Sequence, residues 1–207
     1  MTATATSSRR KLLWLPGLLL AAIIALAGCG SGSGSSATGG GGAAQRSASA
    51  FGWLSPTAPP AGWSLARLQG GRAALAYPPG WSSIHSDPGT VSAALMGPDH
   101  RIRGYLNATP RQGDETLANW ARFRPAHNGD EGDRNVVTDA SARGLHFRTG
   151  SGSCVMDHYA TVSARYREIA CLVRGSKAST VVVGAAVPRD WARLAPELER
   201  AISSFAT

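Results

Sequence analysis

Three cysteines, Cys29, Cys154 and Cys171, offer the most distinctive side-chain chemistry in this 207-residue sequence. A thiolate is a nucleophile that can be oxidised or acylated, and an odd number of thiols in an exported chain leaves one without a partner. Cys154 and Cys171 lie in successive β-like segments, so we predict a disulfide across two strands; two buried thiols are the alternative. Cys29 is then the thiol available for modification.

Cys29 follows a segment that is arranged like an export signal. A basic stretch, residues 1–11, precedes an apolar run, residues 12–27. The run ends in Leu26-Ala27-Gly28-Cys29, which resembles the bacterial lipobox at all four positions. The resemblance implies that residues 1–28 are a signal peptide that is removed, and that diacylglycerol on the Cys29 thiol holds the chain on the outer face of the cell membrane.

Two other interpretations of this segment remain open. About 17 apolar residues is the lower limit for spanning a bilayer, so an uncleaved transmembrane helix is one alternative, although Pro16 and Gly17 weaken it. Residues 8–13 also resemble a twin-arginine export signal, which is an alternative to the general secretory route. Each interpretation places the rest of the chain outside the cytoplasm, because the basic residues precede the apolar run.

The basic charge of the chain does not by itself indicate a nucleic-acid partner. Removal of Arg9, Arg10 and Lys11 with the signal peptide lowers the formal charge from +8 to +5, and Lys177 is then the one lysine left among the basic residues. Such arginine bias, with abundant Ala and Gly, is typical of a GC-rich genome. For an exported protein we expect anionic lipid headgroups or acidic wall polymers as the anionic partner, and no nucleic acid.

Residues 29–60 are predicted to form a tether and residues 61–207 a single domain. The first segment is rich in Gly, Ser and Pro and cannot bury enough apolar surface to offset the entropy of ordering it. Phe51, Trp53 and Leu54 interrupt this composition, and they are expected to contact either the bilayer interface or, preferably, the domain. The second segment is long enough for one good core.

The order of the elements in residues 61–207 predicts an α+β fold. Strands are indicated on either side of Gly70-Gly71 and of Gly97-Pro98-Asp99, and a helix is expected to begin near Asp114 and to end near Pro125. Further strands follow up to Val187, and Asn128–Asp133 is expected to be a polar loop. We therefore predict an antiparallel sheet of about six or more strands flanked by helices. The closing helix is indicated by apolar residues at helical spacing, with Pro196 expected to start or kink it: Trp191, Leu194, Leu198, Ile202 and Phe205.

The early hairpin, the closing helix and the turn Tyr77-Pro78-Pro79-Gly80-Trp81 together resemble the PsbP-like group of proteins. The resemblance covers nearly all of residues 61–207. It implies a PsbP-like fold and a role in binding or assembly, and not an enzymatic one. No functional residues carry over from it, because the matching positions are structural.

No catalytic or metal-binding motif is recognisable, and we expect no cofactor and no metal. The domain contains no Gly-x-Ser-x-Gly elbow and no phosphate loop, and its histidines lack the spacing that places two on one helical turn. Asn128–Asp133 has the content of a calcium loop but not its order of ligands. An anion site is suggested by arginines close in sequence to Trp120 and Phe123, although solvated side chains are the ordinary interpretation: Arg101, Arg103, Arg111, Arg122 and Arg124.

Direct opposition of Cys154 and Cys171 would place Asp157 opposite Glu168. Like charges in such a pair are mildly destabilising, so we expect a bulge or a longer loop near residues 162–165 to relieve it.

These observations favour a non-catalytic, membrane-anchored surface lipoprotein that binds a partner protein or an envelope component. Two alternatives stay open. One is an envelope enzyme that uses His146, His158 and Asp157, and it requires these side chains to converge in a cleft. The other is a small-molecule carrier, which requires an apolar pocket of several hundred Å³ between sheet and helix.

Overall fold

The computed structural model describes residues 49–71 and 73–207. The predicted signal peptide, Cys29 and the first part of the tether lie outside these residues. In chain order the elements are β1 (Ser64–Arg67), β2 (Ala74–Tyr77), β3 (Ser82–Ile84), β4 (Val91–Met96), β5 (Ile102–Pro110), α1 (Trp120–Asp130), β6 (Arg134–Phe147), β7 (Gly150–Ala160), β8 (Arg165–Gly175), β9 (Ser179–Ala186) and α2 (Pro188–Ser203). None of the helices in this part of the chain is both long and apolar enough to cross a bilayer.

Seven strands form one antiparallel sheet in the order β3-β4-β5-β9-β8-β7-β6, and β1 and β2 form a separate hairpin. The prediction of an α+β fold with an antiparallel sheet is confirmed.

The two helices cover opposite faces of the sheet. Along β8, Ile169 and Cys171 belong to the main core beneath α2, whereas Ala170 and Leu172 pack with Trp120 beneath α1. Successive side chains of a strand point to opposite faces, so the apolar run in this strand is the signature of burial on both sides.

Helix α2 packs closely on the centre of the sheet. Leu194, Leu198 and Ile202 are fully buried, and a Cβ added to Gly184 of β9 would lie only 3.2 Å from the Leu198 Cβ. The glycine therefore permits the close approach of the helix. Pro196 does not start a fresh helix, which was one of the two expectations for it: it lies inside α2 on the exposed side, where water can solvate the carbonyl that its ring leaves unpaired.

Helix α1 begins and ends later than predicted. The Glu115 carboxylate accepts hydrogen bonds from the backbone N–H groups of Gln112 (2.9 Å) and Gly113 (2.8 Å), so it closes a turn ahead of the helix. The helix then continues past Pro125 and includes Asn128–Asp130, which was wrongly predicted to be loop.

The turn Tyr77–Trp81 joins the hairpin to the main sheet. Gly80 has φ +84°, a conformation that glycine adopts without strain. Trp81 is buried, and its Nε1 donates a hydrogen bond to Glu197 of α2 at 3.2 Å. The turn thus fixes α2 to the start of β3.

The last part of the predicted tether packs on the domain. Phe51 is buried in the main core, and Trp53 and Leu54 pack against it. The backbone N–H of Thr57 donates to the carbonyl oxygen of Ser203 at 3.2 Å. Of the two contacts expected for this aromatic segment, the structure shows the one with the domain.

Candidate functional site

The predicted disulfide between Cys154 and Cys171 is present, and it joins directly opposed residues of β7 and β8. The expected bulge near residues 162–165 is absent, because the β7–β8 pairing runs without interruption to Ala160 and Arg165. Asp157 and Glu168 therefore do face each other, and both are fully buried beneath α1.

Glu168 is stabilised by a positive charge from the overlying helix. Arg124 of α1 donates from Nε to Oε1 at 2.7 Å and from Nη2 to Oε2 at 2.9 Å, which is a bidentate ion pair. The Tyr159 and Tyr105 hydroxyls lie 3.0 and 3.3 Å from Oε2 and 2.6 Å from each other, so one of their two protons is donated to Oε2 and the other lies between the hydroxyls. Burial raises the pKa of both tyrosines, and the charge of Glu168 adds to the rise, so these hydroxyls stay protonated.

Within the described part of the chain no cation is paired with Asp157, and this residue avoids repulsion from the charge of Glu168 by staying protonated and therefore neutral. Burial, together with the negative charge of Glu168, raises the pKa of Asp157 to about 8. Asn128 donates from Nδ2 to Asp157 Oδ2 at 3.4 Å. The Oδ1 atoms of these two residues have no hydrogen-bond partner among the described residues, and a proton on Asp157 supplies the donor that this pair otherwise lacks.

The side chains proposed for an enzyme do not converge. His158 points to the α2 side of the sheet, where its Nδ1 lies 3.0 Å from Asp139 Oδ1, whereas Asp157 points to the α1 side. His146 is paired with Ser151, seven residues along β7 from His158, which is about 23 Å. The alternative of an envelope enzyme that uses these three residues required them to converge, and the structure does not bring them together. The described residues also contain no group of three or more His, Cys, Asp or Glu side chains that could hold a metal ion.

The five arginines considered for an anion site lie in different places. Arg124 is bound to Glu168, and Arg122 is exposed on α1. Arg111 follows β5, whereas Arg101 precedes this strand and Arg103 lies near its start, about 30 Å away. Trp120 is buried under α1 and cannot interleave with them.

A cleft of about 640 Å³ opens where β5, β8 and α2 all begin. Four arginines line it, namely Arg101, Arg103, Arg165 and Arg189. The rest of its lining, which completes what we call the arginine cleft, is mostly apolar: Ile102, Ser163, Ala164, Tyr166, Val187 and Pro188.

Two of these guanidinium groups are free to bind an anion. Arg103 is paired with Asp99 at 3.2 Å, and Arg189 lies 3.9 Å from an Asp190 oxygen. No carboxylate of the described residues lies within 4.0 Å of the Arg101 or Arg165 side chain. The positive end of the α2 dipole adds to the field in the cleft.

The sequence alone did not reveal this cleft, although it singled out Arg101 and Arg103. Arg165 and Arg189 come from two other chain segments, and only strand pairing brings the three segments together. Neither the hydrophobic periodicity nor the spacing of residues along the sequence encodes a site that is built from three separate segments.

Beside α1 lies a second, smaller concavity, which we call the α1 groove. It consists of two adjoining cavities of about 290 and 260 Å³. Both are lined by Thr109, Gln112, Arg124, His127 and Val181. This mixed lining is more polar than the pocket expected for a carrier of apolar molecules.

No protein-family model matches the sequence, and no curated protein is significantly similar to it. Solved structures do show a similar fold. Cyanobacterial PsbP (CyanoP) from Synechocystis aligns with a TM-score of 0.51 and 14% identity, over 70% of this chain and 92% of that one. The fold is therefore PsbP-like, as the Tyr77–Trp81 turn predicted.

Two further structures align less well. One is a Pseudomonas aeruginosa protein of unknown function, with a TM-score of 0.41 and 12% identity over 70% of this chain and 96% of that one. The other is LpqN of Mycobacterium tuberculosis, which is involved in cell envelope biogenesis; its TM-score is 0.38 and its identity 11%, over 70% of this chain and 89% of that one.

Proposed function

We propose that this chain is a non-catalytic lipoprotein of the cell envelope. Lipid on Cys29 holds it at the outer face of the membrane, and its domain binds an anionic envelope component in the arginine cleft. The unpaired guanidinium groups of Arg101 and Arg165 beside an apolar wall are the observation that carries the binding role. An anion bound there gains charge-assisted hydrogen bonds without displacing a protein carboxylate.

The buried ionisable cluster beneath α1 supports a role without catalysis. Arg124 and Glu168 neutralise each other, and Tyr105 and Tyr159 hold their protons against Glu168. These four groups bond to one another, which supports a role in stabilising the fold.

Binding to isolated envelopes tests the proposal. The chain from residue 29 onward is prepared with Cys29→Ser, so that it carries no lipid, and is sedimented with envelope fragments. We expect it to bind, and we expect Arg101→Gln with Arg165→Gln to weaken binding about tenfold or more, since two charge-assisted contacts are lost.

The matched control is Arg111→Gln with Arg122→Gln, which removes the same charge from exposed positions outside the cleft. This pair should change binding by less than about twofold, because screened charges at a distance contribute little. Equal losses for the two pairs, or no binding by the parent chain, would contradict the proposed site.

A carrier of polar small molecules is the second candidate, because the α1 groove beside Thr109 and His127 has a mixed lining that does not suit an apolar ligand. Native mass spectrometry of protein purified from its own envelope tests it, because a carrier should retain a small molecule that is lost on unfolding.

A further inference from the structure

We infer that the arginine cleft and the adjoining β7–β8 turn dock the domain on the surface of an anionic phospholipid bilayer. This inference rests on the proposed function, because it names the anionic component that the same cleft binds.

The β7–β8 turn presents an apolar side chain to the outside. Val162 is 90% exposed, the most exposed of the large hydrophobic residues described. The turn that carries it is held by three hydrogen bonds: Thr161 N–H donates to the Ala164 carbonyl at 2.9 Å, and the Thr161 Oγ1 accepts from the N–H groups of Ala164 (3.0 Å) and Ser163 (3.1 Å). Val162 therefore cannot easily fold back on the domain, and burial of its side chain requires an apolar surface from elsewhere.

The cations of the cleft lie next to this turn. Arg165 directly follows it at the start of β8, and Arg101 lies across the cleft at the start of β5. A membrane phosphodiester carries one negative charge and oxygens that suit the planar fork of a guanidinium group. Ionic contacts with headgroups and shallow insertion of Val162 can therefore form at the same time.

The carboxylates near the cleft do not cancel this attraction. Asp99 pairs with Arg103 and also attracts Arg101 at longer range, and Asp190 pairs with Arg193 at 3.1 Å and lies 3.9 Å from Arg189. These two carboxylates thus face five arginines, namely the four of the cleft and Arg193, and an excess of positive charge remains. The unpaired charges therefore face outward beside an apolar wall, where arginine stems can lie along apolar surface while their heads meet phosphate. A free small anion would satisfy the charges but would leave Val162 exposed to water.

The proposed anchor permits this docking. Twenty peptide units separate Cys29 from Ser49 and span at most about 70 Å. Thr57 bonds to Ser203 at the end of α2, and the cleft lies at the beginning of this helix, about 24 Å away. The connecting chain is therefore long enough for the cleft to reach the membrane.

Vesicle binding tests the inference. The Cys29→Ser chain from residue 29 onward is mixed with vesicles of phosphatidylcholine, with or without about one third phosphatidylglycerol. We expect binding only to the anionic vesicles, weakened by salt. Arg101→Gln with Arg165→Gln should weaken binding about thirtyfold. Val162→Ser should weaken it about threefold without changing the net charge. The control pair, Arg111→Gln with Arg122→Gln, should weaken it less than about twofold.

Three results would overturn the inference: no binding to anionic vesicles, equal losses for the cleft pair and the control pair, or full displacement by millimolar inorganic phosphate, which would indicate a site for small anions. Thermal unfolding of each variant checks that it is folded.

If the chain does not bind vesicles but still binds isolated envelopes through Arg101 and Arg165, the proposed function stands and the phospholipid inference fails. If it binds neither, both fail.

Discussion

At the scale of single residues, two opposed carboxylates beneath α1 are held in different protonation states. Glu168 keeps its charge because Arg124 and two tyrosine hydroxyls surround it. Asp157 has only the amide of Asn128 within reach. Placing a second charge there without a cation would cost more than binding a proton, so one of the two carboxyls becomes neutral.

The proton on Asp157 makes stability depend on pH. The pKa of Asp157 is about 8 in the folded chain and 3.8 for the ordinary group, so between these values the folded state binds the extra proton and stability falls as pH rises. This group contributes a loss of at most about 1.4 kcal/mol per pH unit. We expect Asp157→Asn to reduce that loss, and urea unfolding at pH 5, 6, 7 and 8 measures it.

The control for this experiment is Asp130→Asn, at an exposed position at the end of α1. It should leave the pH profile parallel to that of the parent chain. A parallel profile for Asp157→Asn as well would contradict the protonation assigned to Asp157.

The ion pair of Arg124 and Glu168 gives a second prediction. Arg124→Met leaves Glu168 buried without a cation and should lower the free energy of unfolding by about 3–5 kcal/mol. Arg122→Met, on the exposed side of the same helix, should change it by less than about 0.5 kcal/mol. Chemical denaturation compares the two.

A double variant separates loss of the ion pair from simple loss of packing. Arg124→Met combined with Glu168→Leu removes both charges and should recover much of the stability. If the double variant is as unstable as Arg124→Met alone, the isolated charge of Glu168 is not the cause.

The sequence was sufficient to predict the cysteine pair and the conflict between Asp157 and Glu168, because a strand register follows from a single fixed pair. It was not sufficient to predict how the conflict is relieved. Arg124 lies 44 residues from Glu168 and reaches it only because α1 crosses that face of the sheet. Contacts between distant elements depend on packing, which local pattern does not encode.

At the scale of elements, β7 and β8 are joined in the middle of the sheet by the Cys154–Cys171 disulfide, which closes a loop of 17 residues. Replacement of both cysteines by alanine should lower the free energy of unfolding by about 3 kcal/mol, because the unfolded chain gains freedom. The denaturation midpoint with and without a reductant measures this. The reduced parent chain should match the double variant; a midpoint insensitive to reductant would contradict a stabilising role.

The attachment of α2 by Trp81 gives a further prediction. Trp81→Ala removes a buried ring and should cost about 3–5 kcal/mol. Trp81→Phe keeps most of the ring but loses the hydrogen bond to Glu197, and should cost about 1 kcal/mol beyond the change in packing. Thermal unfolding ranks the two. Equal effects would mean that the hydrogen bond, and not the ring, holds the helix.

Element types were easier to predict than element ends. The closing helix and the strands of residues 165–187 were recognisable because burial imposes a regular apolar pattern on them. The start of β6 at Arg134 was missed, because its first residues are mostly exposed and carry no such pattern. The start of α1 was misplaced, because the Glu115 carboxylate accepts from the backbone N–H groups of Gln112 and Gly113 and so closes a turn instead of beginning the helix.

At the scale of the whole molecule, we propose an anchor at Cys29, a connecting chain, and a PsbP-like domain that binds an anionic component. The domain core extends further toward the N-terminus than the sequence indicated, because Phe51 completes it. The composition of residues 29–60 placed Phe51 in the tether, and only its apolar side chain indicated that it contacts the domain. The anchor decides whether the arginine cleft operates next to a membrane.

Intact-mass and peptide analysis of the protein isolated from its own envelope shows whether Cys29 is the anchor. We expect the first residue to be Cys29, with a mass increase that corresponds to diacylglycerol on the thiol, and we expect a Cys29→Ser chain to lack this increase. An unmodified thiol at Cys29, or a chain that retains residues 1–28, would contradict this expectation.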